Sequence, residues 1–335
     1  MQNGKVSIII PFKNTVHYLP ECLDSIVNQS YTDWEVLAVN DNSTDESYEL
    51  LTSYSNKDER IKVFQNKGSG IIHALQTGYA KSNGAFVTRM DSDDIMRPNR
   101  LEVMVNSLHK TGPGYIAVGQ VKYFSHRGIS NGYERYEEWL NGLTSTGNNF
   151  DEIYKECVIP SPCWMVHRED FEKCEGFKPQ RYPEDYDLTF RFYEQGFKII
   201  PCDPVLHMWR DYDTRTSRTH EHYAQNYFLD IKLHYFLKLN HDLTRPLVVW
   251  GAGFKGKKIA KGLKKQGLEF VWLCDNPKKI GKSIYGKELV HFEALQNLDN
   301  PQSIITVANE NAQKEIRRYF SELEQSPMQD YFFFC

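Results

Sequence analysis

The 335-residue sequence predicts an α/β protein: a mostly parallel central sheet flanked by helices, followed by a smaller α/β domain. Three observations carry this expectation. Apolar, β-branched runs alternate with helical periodicity four times in the first hundred residues, the pattern of strands covered on both faces. Three of those runs end in polar clusters. A strand, glycine turn, helix and strand then recur over residues 246–275.

Residues 6–11 are a β-branched run closed by Pro11, a strand buried on both faces. Leu19, Cys22, Leu23, Ile26 and Val27 fall at helical spacing. Residues 34–39 form the second strand and run into the polar cluster 40–45, suited to a loop and a helix cap. Residues 61–64 are a short third strand, Gly68-Ser69-Gly70 opens a helix through about Lys81, and residues 85–90 are the fourth strand. Beyond it, 116–119 and 121–124 read as strands, 133–143 as an aromatic, charged helix, and 160–166 as a rigid turn entering a strand.

Length fits two domains, expected over 1–220 and 246–335 with a helical linker over 221–245. With 44 acidic and 40 basic residues the net charge is -4, which sets aside a generally basic nucleic-acid binder but leaves local patches open. The seven cysteines (22, 157, 163, 174, 202, 274 and 335) form no C-x-x-C pair, a pattern of reduced thiols and not of a disulfide scaffold or zinc site. No apolar run approaches a bilayer span, and a strand begins within five residues of the start, leaving no room for a signal peptide. The expectation is a cytoplasmic protein with no membrane span, able to sit peripherally at the inner face of a membrane. Homo-oligomerisation is left open.

The most informative stretch is 84–94, an apolar strand that ends in Asp91, Asp93 and Asp94. Burying such a cluster is costly unless a cation neutralises it. At the carboxyl end of a parallel sheet, where ligands of such folds sit, Mg²⁺ or Mn²⁺ shared with a phosphate removes that cost. The other reading is an acidic turn with Asp94 capping a helix beyond residues 95–98. Phe12-Lys13-Asn14 and Asn40-Asp41 end two further strands on the same edge, which favours a nucleotide and metal site. Tyr182-Pro183-Glu184-Asp185 reads as a helix start, since proline and acids suit that end. The helix start is the favoured reading of these residues alone; the other is a carboxylate, Asp185, held in direction as a general base. Residues 206–220, with Arg210, Arg215, Arg218, His207 and His220, could clamp a diphosphate or form a solvated loop.

Taken in order, the runs 6–14, 39–45, 89–95 and 183–188 resemble those of family 2 glycosyltransferases of the GT-A fold, over about residues 5–220. The resemblance implies inverting transfer of a hexose or N-acetylhexosamine from a nucleoside-diphosphate sugar, with UDP as the expected nucleotide. It places Pro11, Phe12, Asn14 and Asp41 on the donor. Asp91 and Asp93 match the family's D-x-D, which holds Mn²⁺ or Mg²⁺ and the donor, with Asp94 adjacent as a further metal ligand. Asp185, beside Glu184, matches the catalytic base. Arg210 and Arg218 would close over the diphosphate, and Trp164 and Tyr186 would face the acceptor. Trp209-Arg210-Asp211 with residues 215–218 looks like bacterial members of a β-1,3-N-acetylglucosaminyltransferase-like group whose eukaryotic members resemble queuosine-tRNA galactosyltransferases. Tyr212 stands where many relatives have a histidine, and Ser161 is read as a second such replacement.

Residues 221–239 read as an aromatic-rich helical link. A strand at 246–250 then meets Gly251-Ala252-Gly253-Phe254-Lys255-Gly256, a helix to about Gln266, a strand at 270–274 and Asp275. This is a dinucleotide fingerprint in context, with a further strand at 303–308 and length for one Rossmann-like half. Glycines there also serve tight strand–helix packing. No hydride-transfer acid or base is evident, so docking or acceptor positioning is preferred and no redox cofactor is expected. Lys255, Lys257, Lys258, Lys261, Lys264 and Lys265 are a solvated helix face, or a surface that steers a polyanion such as tRNA. The leading expectation is a metal-dependent transferase acting on a glycan or lipid-linked acceptor in bacterial surface-glycan synthesis. A transferase acting on tRNA queuosine is the enzymatic alternative. A nucleotide-sugar-binding regulatory module with an inactive head is the other, and the intact carboxylates at 91, 93 and 185 count against it.

Overall fold

The computed structural model describes residues 4–179, 181–215, 218 and 228–335. Residues 221–227 of the expected linker, and Thr216, Ser217, Thr219 and His220 of the arginine-bearing stretch, lie outside them. The chain divides into two compact units, residues 1–149 with 158–215, and residues 150–157 with 216–335.

In the first unit β1 (Val6–Phe12), β2 (Trp34–Asn40), β3 (Ile61–Gln65) and β4 (Phe86–Arg89) pair in parallel in the order β3-β2-β1-β4. All seven residues of β2 are buried, as expected of a strand covered on both faces. The crossovers are α1 (Leu19–Val27), α2 (Ser47–Ser55) and α3 (Ile71–Tyr79). Leu19, Cys22, Leu23 and Ile26 of α1 join Ile8, Ile10, Val36 and Ala38 of the sheet in one core, and each large aliphatic side chain so buried contributes about 1.5–3 kcal/mol. Gly70 precedes α3 with a φ of 89°, which glycine adopts without a steric penalty.

Past β4 the sheet becomes mixed. β7 (Trp164–His167) runs antiparallel to β4 and to β6 (Tyr115–Phe124), which pairs in parallel with the long β8 (Lys198–Arg210); β5 (Ile95–Met96) closes the edge antiparallel to β8. Around them lie α4 (Arg100–Thr111), α5 (Asn131–Thr146), α6 (Arg168–Lys173) and α7 (Glu184–Glu194). The two short strands expected over 116–124 are one strand, whose register against β8 shifts on either side of Gln120. Asp94 caps no helix: the residues after it pair as β5, and α4 begins only at Arg100.

In the second unit five parallel strands, β9 (Leu247–Trp250), β10 (Val271–Cys274), β12 (Lys287–His291), β13 (Gln302–Ile305) and β14 (Tyr331–Phe333), lie in the order β12-β10-β9-β13-β14, with β11 (Ser283–Ile284) antiparallel on β12. The helices are α8 (Leu229–Leu239), α9 (Phe254–Lys265) and α10 (Glu310–Glu322). α9 approaches the end of β9 so closely that a Cβ on Gly256 would lie 1.9 Å from the Gly251 carbonyl oxygen. Residues 150–157 belong to this unit, so the chain does not divide by a single cut near 220. Tyr154 stacks on Phe334 with ring centroids 5.3 Å apart and donates its hydroxyl to Asn240 Oδ1 at 2.5 Å. Glu152 accepts from Arg317 at 2.5 Å. No helix among the described residues is long and apolar enough to cross a membrane.

Candidate active site

Because β2, β1 and β4 are parallel neighbours, their carboxyl ends open on one edge of the sheet. At the β1 exit Asn14 takes a φ of 54°, its Oδ1 accepts from the Thr44 amide at 2.7 Å, and its own amide donates to Ser43 Oγ at 3.1 Å. Asp41 Oδ1 accepts from Asn66 Nδ2 at 2.7 Å and from the Gly70 amide at 2.8 Å. These bonds stitch the exit loops of β1 and β2 to the start of α3. Pro11 is half-buried on the same edge. Phe12, expected on the donor, is instead a core side chain packed with Ile10 and Leu19. A ring held there offers no face to a nucleoside.

The β4 exit carries the three carboxylates, and the structure gives them different surroundings. Asp91 is half-buried, and Arg89 Nη2 donates to its Oδ1 at 2.7 Å. Burial pushes its carboxyl up, but the Arg89 charge outweighs this and holds it below the usual carboxylate range. Asp93 is also half-buried and accepts from the Tyr212 hydroxyl at 2.8 Å. Burial, followed by the charges of Asp94 and Asp91, pushes it up to about 7, with Arg215 and the Tyr212 hydroxyl acting the other way.

Asp94 is fully buried. Its Oδ1 accepts from the Arg210 amide at 2.8 Å, and its Oδ2 lies 2.9 Å from His207 Nε2. On the far side of that ring, His207 Nδ1 lies 3.1 Å from Arg100 Nη1, a group that can only donate. The network therefore assigns Nδ1 as acceptor and puts the proton on Nε2, donated to Asp94. Burial and the Arg100 charge keep His207 neutral, well below its usual range. With both oxygens engaged and none exposed, Asp94 anchors the loop to β8. This corrects its expected place among the metal ligands. Among the described residues no group of three or more His, Cys, Asp or Glu side chains is arranged to hold a metal ion.

Glu184 and Asp185 open α7. Arg89, 5% exposed, reaches both motifs: Nη2 to Asp91 and Nη1 to Glu184 Oε1 at 3.2 Å. One guanidinium thus ties two carboxylates that lie 93 positions apart in sequence. Glu184 is pushed up to about 7 by burial and then by Asp185, with Arg89 opposing. Asp185 is likewise raised by burial, against the Arg89 charge and a bond of 2.8 Å from the Tyr186 amide. The two acids line a narrow cleft, with Arg89, Ser161 and Thr189 on its polar side and Ile159, Trp164, Phe177, Leu188 and Phe192 buried on its apolar side.

Trp164 contributes to that cleft while packing among Phe171, Phe177 and Phe192. Tyr186 has no exposed surface and stacks on Phe190, so it is a core residue and not an acceptor contact. Arg210 is also buried: Nε donates to the Asp93 carbonyl at 2.6 Å and Nη2 to Glu21 at 2.5 Å, with Tyr18 and Phe124 rings 4.9 and 4.5 Å away. It braces the carboxylate loop, which replaces its expected place on the diphosphate. Arg218 is exposed. A further cation facing the cluster is Arg215, stacked 5.1 Å over Trp209 and held protonated, against burial, by Asp94, Asp93 and Asp91. Sequence reasoning gave no separate role to Arg89, although an arginine inside an apolar strand, two positions before Asp91, was a visible signal.

The fold is of the glycosyltransferase class, and the comparisons show it. The glycosyl transferase family 2 model matches residues 7–175, and the chain belongs to that family. Glycosyltransferase GlyG of Streptococcus pneumoniae is 35% identical over 222 residues, covering 64% of this chain and 73% of GlyG. GlyA of the same organism is 36% identical over 214 residues, 62% of this chain but 31% of GlyA. A glycosyltransferase of Rickettsia bellii is 32% identical over 167 residues, 49% of this chain and 23% of that protein. The chain thus spans less than a third of the last two. Among solved structures, S. aureus TarS in complex with UDP-GlcNAc superposes with a TM-score of 0.53 at 18% identity, over 78% of this chain and 72% of that one. Mannosyltransferase PcManGT from Pyrobaculum calidifontis, in complex with GDP-Man and Mn²⁺, gives 0.50 at 17% identity, over 71% and 64%. At these identities the likeness shows the GT-A fold.

Proposed function

We propose that the chain is an inverting glycosyltransferase that moves a hexose or N-acetylhexosamine from a UDP-sugar to an acceptor hydroxyl. The observation that carries this is the Arg89 bridge, which holds the β4 carboxylates and the Glu184–Asp185 pair as one site. Asp185 takes the proton from the acceptor hydroxyl, the freed oxygen attacks the anomeric carbon, and the sugar–phosphate bond breaks with its electron pair leaving on the diphosphate. One displacement inverts the centre and needs no enzyme nucleophile. A raised carboxyl suits the task, since a base works best with a pKa near the working pH.

Asp91 and Asp93 fit a hard divalent ion shared with a diphosphate, and not a cage of protein ligands. Both offer oxygen and are part exposed, and Asp93 is raised to about 7 by burial first and then by the charges of Asp94 and Asp91, which a cation would offset. When bound, Mn²⁺ or Mg²⁺ would neutralise charge on the departing diphosphate. Asn14 and Asp41 shape the loops that would receive the nucleoside, beside Pro11. The acceptor in this reading is a glycan or a lipid-linked molecule that brings its hydroxyl to Asp185. The second unit is read as a Rossmann-like docking module, since packing accounts for its close glycines.

The test is transfer from UDP-GlcNAc and UDP-hexoses to candidate acceptors, with the anomeric configuration of the product read by NMR. Inversion supports the reading. A retained configuration, or transfer undiminished in Asp185→Asn, sinks it.

A further inference from the structure

The second unit presents a surface that the transferase reading does not use. α9 buries Gly256, Ile259, Ala260 and Leu263 and turns its other face outward. That face carries Phe254, Lys257, Lys261, Lys264 and Lys265, at spacings that keep them on one side of a helix. All five are exposed, Phe254 by 63%. Lys264 Nζ donates to the Tyr285 carbonyl, which sets the turn carrying Tyr285 at the carboxyl end of the stripe. Lys279 Nζ donates to the Ala252 carbonyl at 2.9 Å, which sets a second lysine-bearing turn at the amino end. Tyr285 is itself 46% exposed. Residues 254–288 hold ten lysines, three acids and no arginine, in a chain whose net charge is -4. One of those acids, Glu269, is paired with Lys287.

A solvated helix face accounts for the lysines but not for Phe254, most of whose ring is left in water at its start, since burying it would contribute about 1.5–3 kcal/mol; beyond its end Tyr285, stacked on Trp272, keeps one part of its ring exposed. The lack of arginine counts against a partner recognised through forked, planar hydrogen bonds, as nucleic acids commonly are. It favours one met as a diffuse sheet of negative charge. An anionic bilayer has that chemistry: each lysine near it contributes about 1 kcal/mol, and aromatic rings settle at headgroup level.

We propose that this face of the second unit docks on an anionic phospholipid bilayer. The helix stays folded on its sheet, so the contact is a face laid on headgroups and not an inserted segment. The proposal stands apart from the assignment of the transferase chemistry.

The full chain is to be sedimented with vesicles of phosphatidylcholine alone and with vesicles of equal parts phosphatidylglycerol and phosphatidylcholine. Binding is expected only to the anionic vesicles, with release at about 1 M salt, where the screening length falls to about 3 Å. Lys257→Glu, Lys261→Glu and Lys265→Glu together should weaken it at least about 100-fold. The same lysines changed to Gln, and Phe254→Ala alone, give milder variants should the triple reversal fail to fold; each should weaken binding with its thermal melt unchanged. Equal sedimentation with neutral vesicles, or undiminished binding by folded charge variants, would overturn the proposal. So would binding to single-stranded RNA in place of vesicles, which would assign the face to nucleic acid.

Discussion

Both units wind parallel strands in the same order about a first strand, β1 in one and β9 in the other, and each therefore reverses direction once, between β1 and β4 and between β9 and β13. Ligands of open α/β sheets are expected at such a point, and the residues found at the two differ in kind. At the first, acids gather. Asp93 and Glu184 are both pushed up to about 7, by burial and then by neighbouring acids. At the second, the turn's carbonyls are satisfied from within: Gly251 accepts from Trp272 Nε1 at 2.8 Å, Ala252 from Lys279, and Trp250 from Thr306 Oγ1 at 3.0 Å. Topology nominates both places. Buried, clustered acids distinguish the first.

The contrast can be broken by substitution. Asp185→Asn should lower turnover by about 100- to 10,000-fold while leaving UDP affinity intact in a calorimetric titration, whereas Asp93→Asn should weaken both. If Asp185→Asn instead loses UDP affinity at full turnover, the division of labour between the two carboxylate motifs is wrong. Arg89→Ala strands Asp91 and Glu184 without their shared cation, and should cost about 3–5 kcal/mol in denaturant unfolding; Arg89→Lys keeps the charge but not both contacts and should cost less.

At the other switch point Gly256→Ala, by driving a Cβ into the Gly251 carbonyl, should destabilise by about 1–3 kcal/mol. Gly253→Ala, with no atom within 4 Å of the added Cβ, should stay within about 0.5 kcal/mol. Loss of UDP-dependent transfer in a Gly256→Ala protein of unchanged stability would make the second point a ligand site after all.

The smallest effect is in pH. Carboxyls raised on folding bind protons more tightly in the native state, so between the ordinary carboxylate range and about 7 stability should rise as pH falls. Turnover should fall as pH drops through the raised range of Asp185, because the base must be ionised. The acid limb of the turnover profile should move to lower pH in Glu184→Gln, which removes the neighbouring charge. A limb that moves up, or stays put, would detach Glu184 from the base.

The alternation through β4 was legible because buried parallel strands and amphipathic helices write themselves into short windows of sequence. The carboxylate and Glu184–Asp185 motifs were legible as motifs. What they touch was not. Whether Asp94 ligates a metal or anchors a loop depends on His207, and β8, which brings His207 there, was hidden by Pro201 and Pro204 near its middle. Arg210 looked like a diphosphate clamp because sequence cannot show Glu21 and the Asp93 carbonyl waiting for it. Residues 150–157 gave no sign of belonging with the second unit, since that depends on Tyr154 meeting Phe334 and Asn240.

The hydrogen-bonded line Arg100–His207–Asp94 has a consequence for inheritance. Its proton is fixed in place by an arginine that can only donate, so no member can be exchanged for a residue of other polarity without stranding the next. Although Asp94 and His207 stand 113 positions apart, drift at any of the three positions is tolerable only if the others drift with it. In descendants of this chain the three should be kept together or lost together.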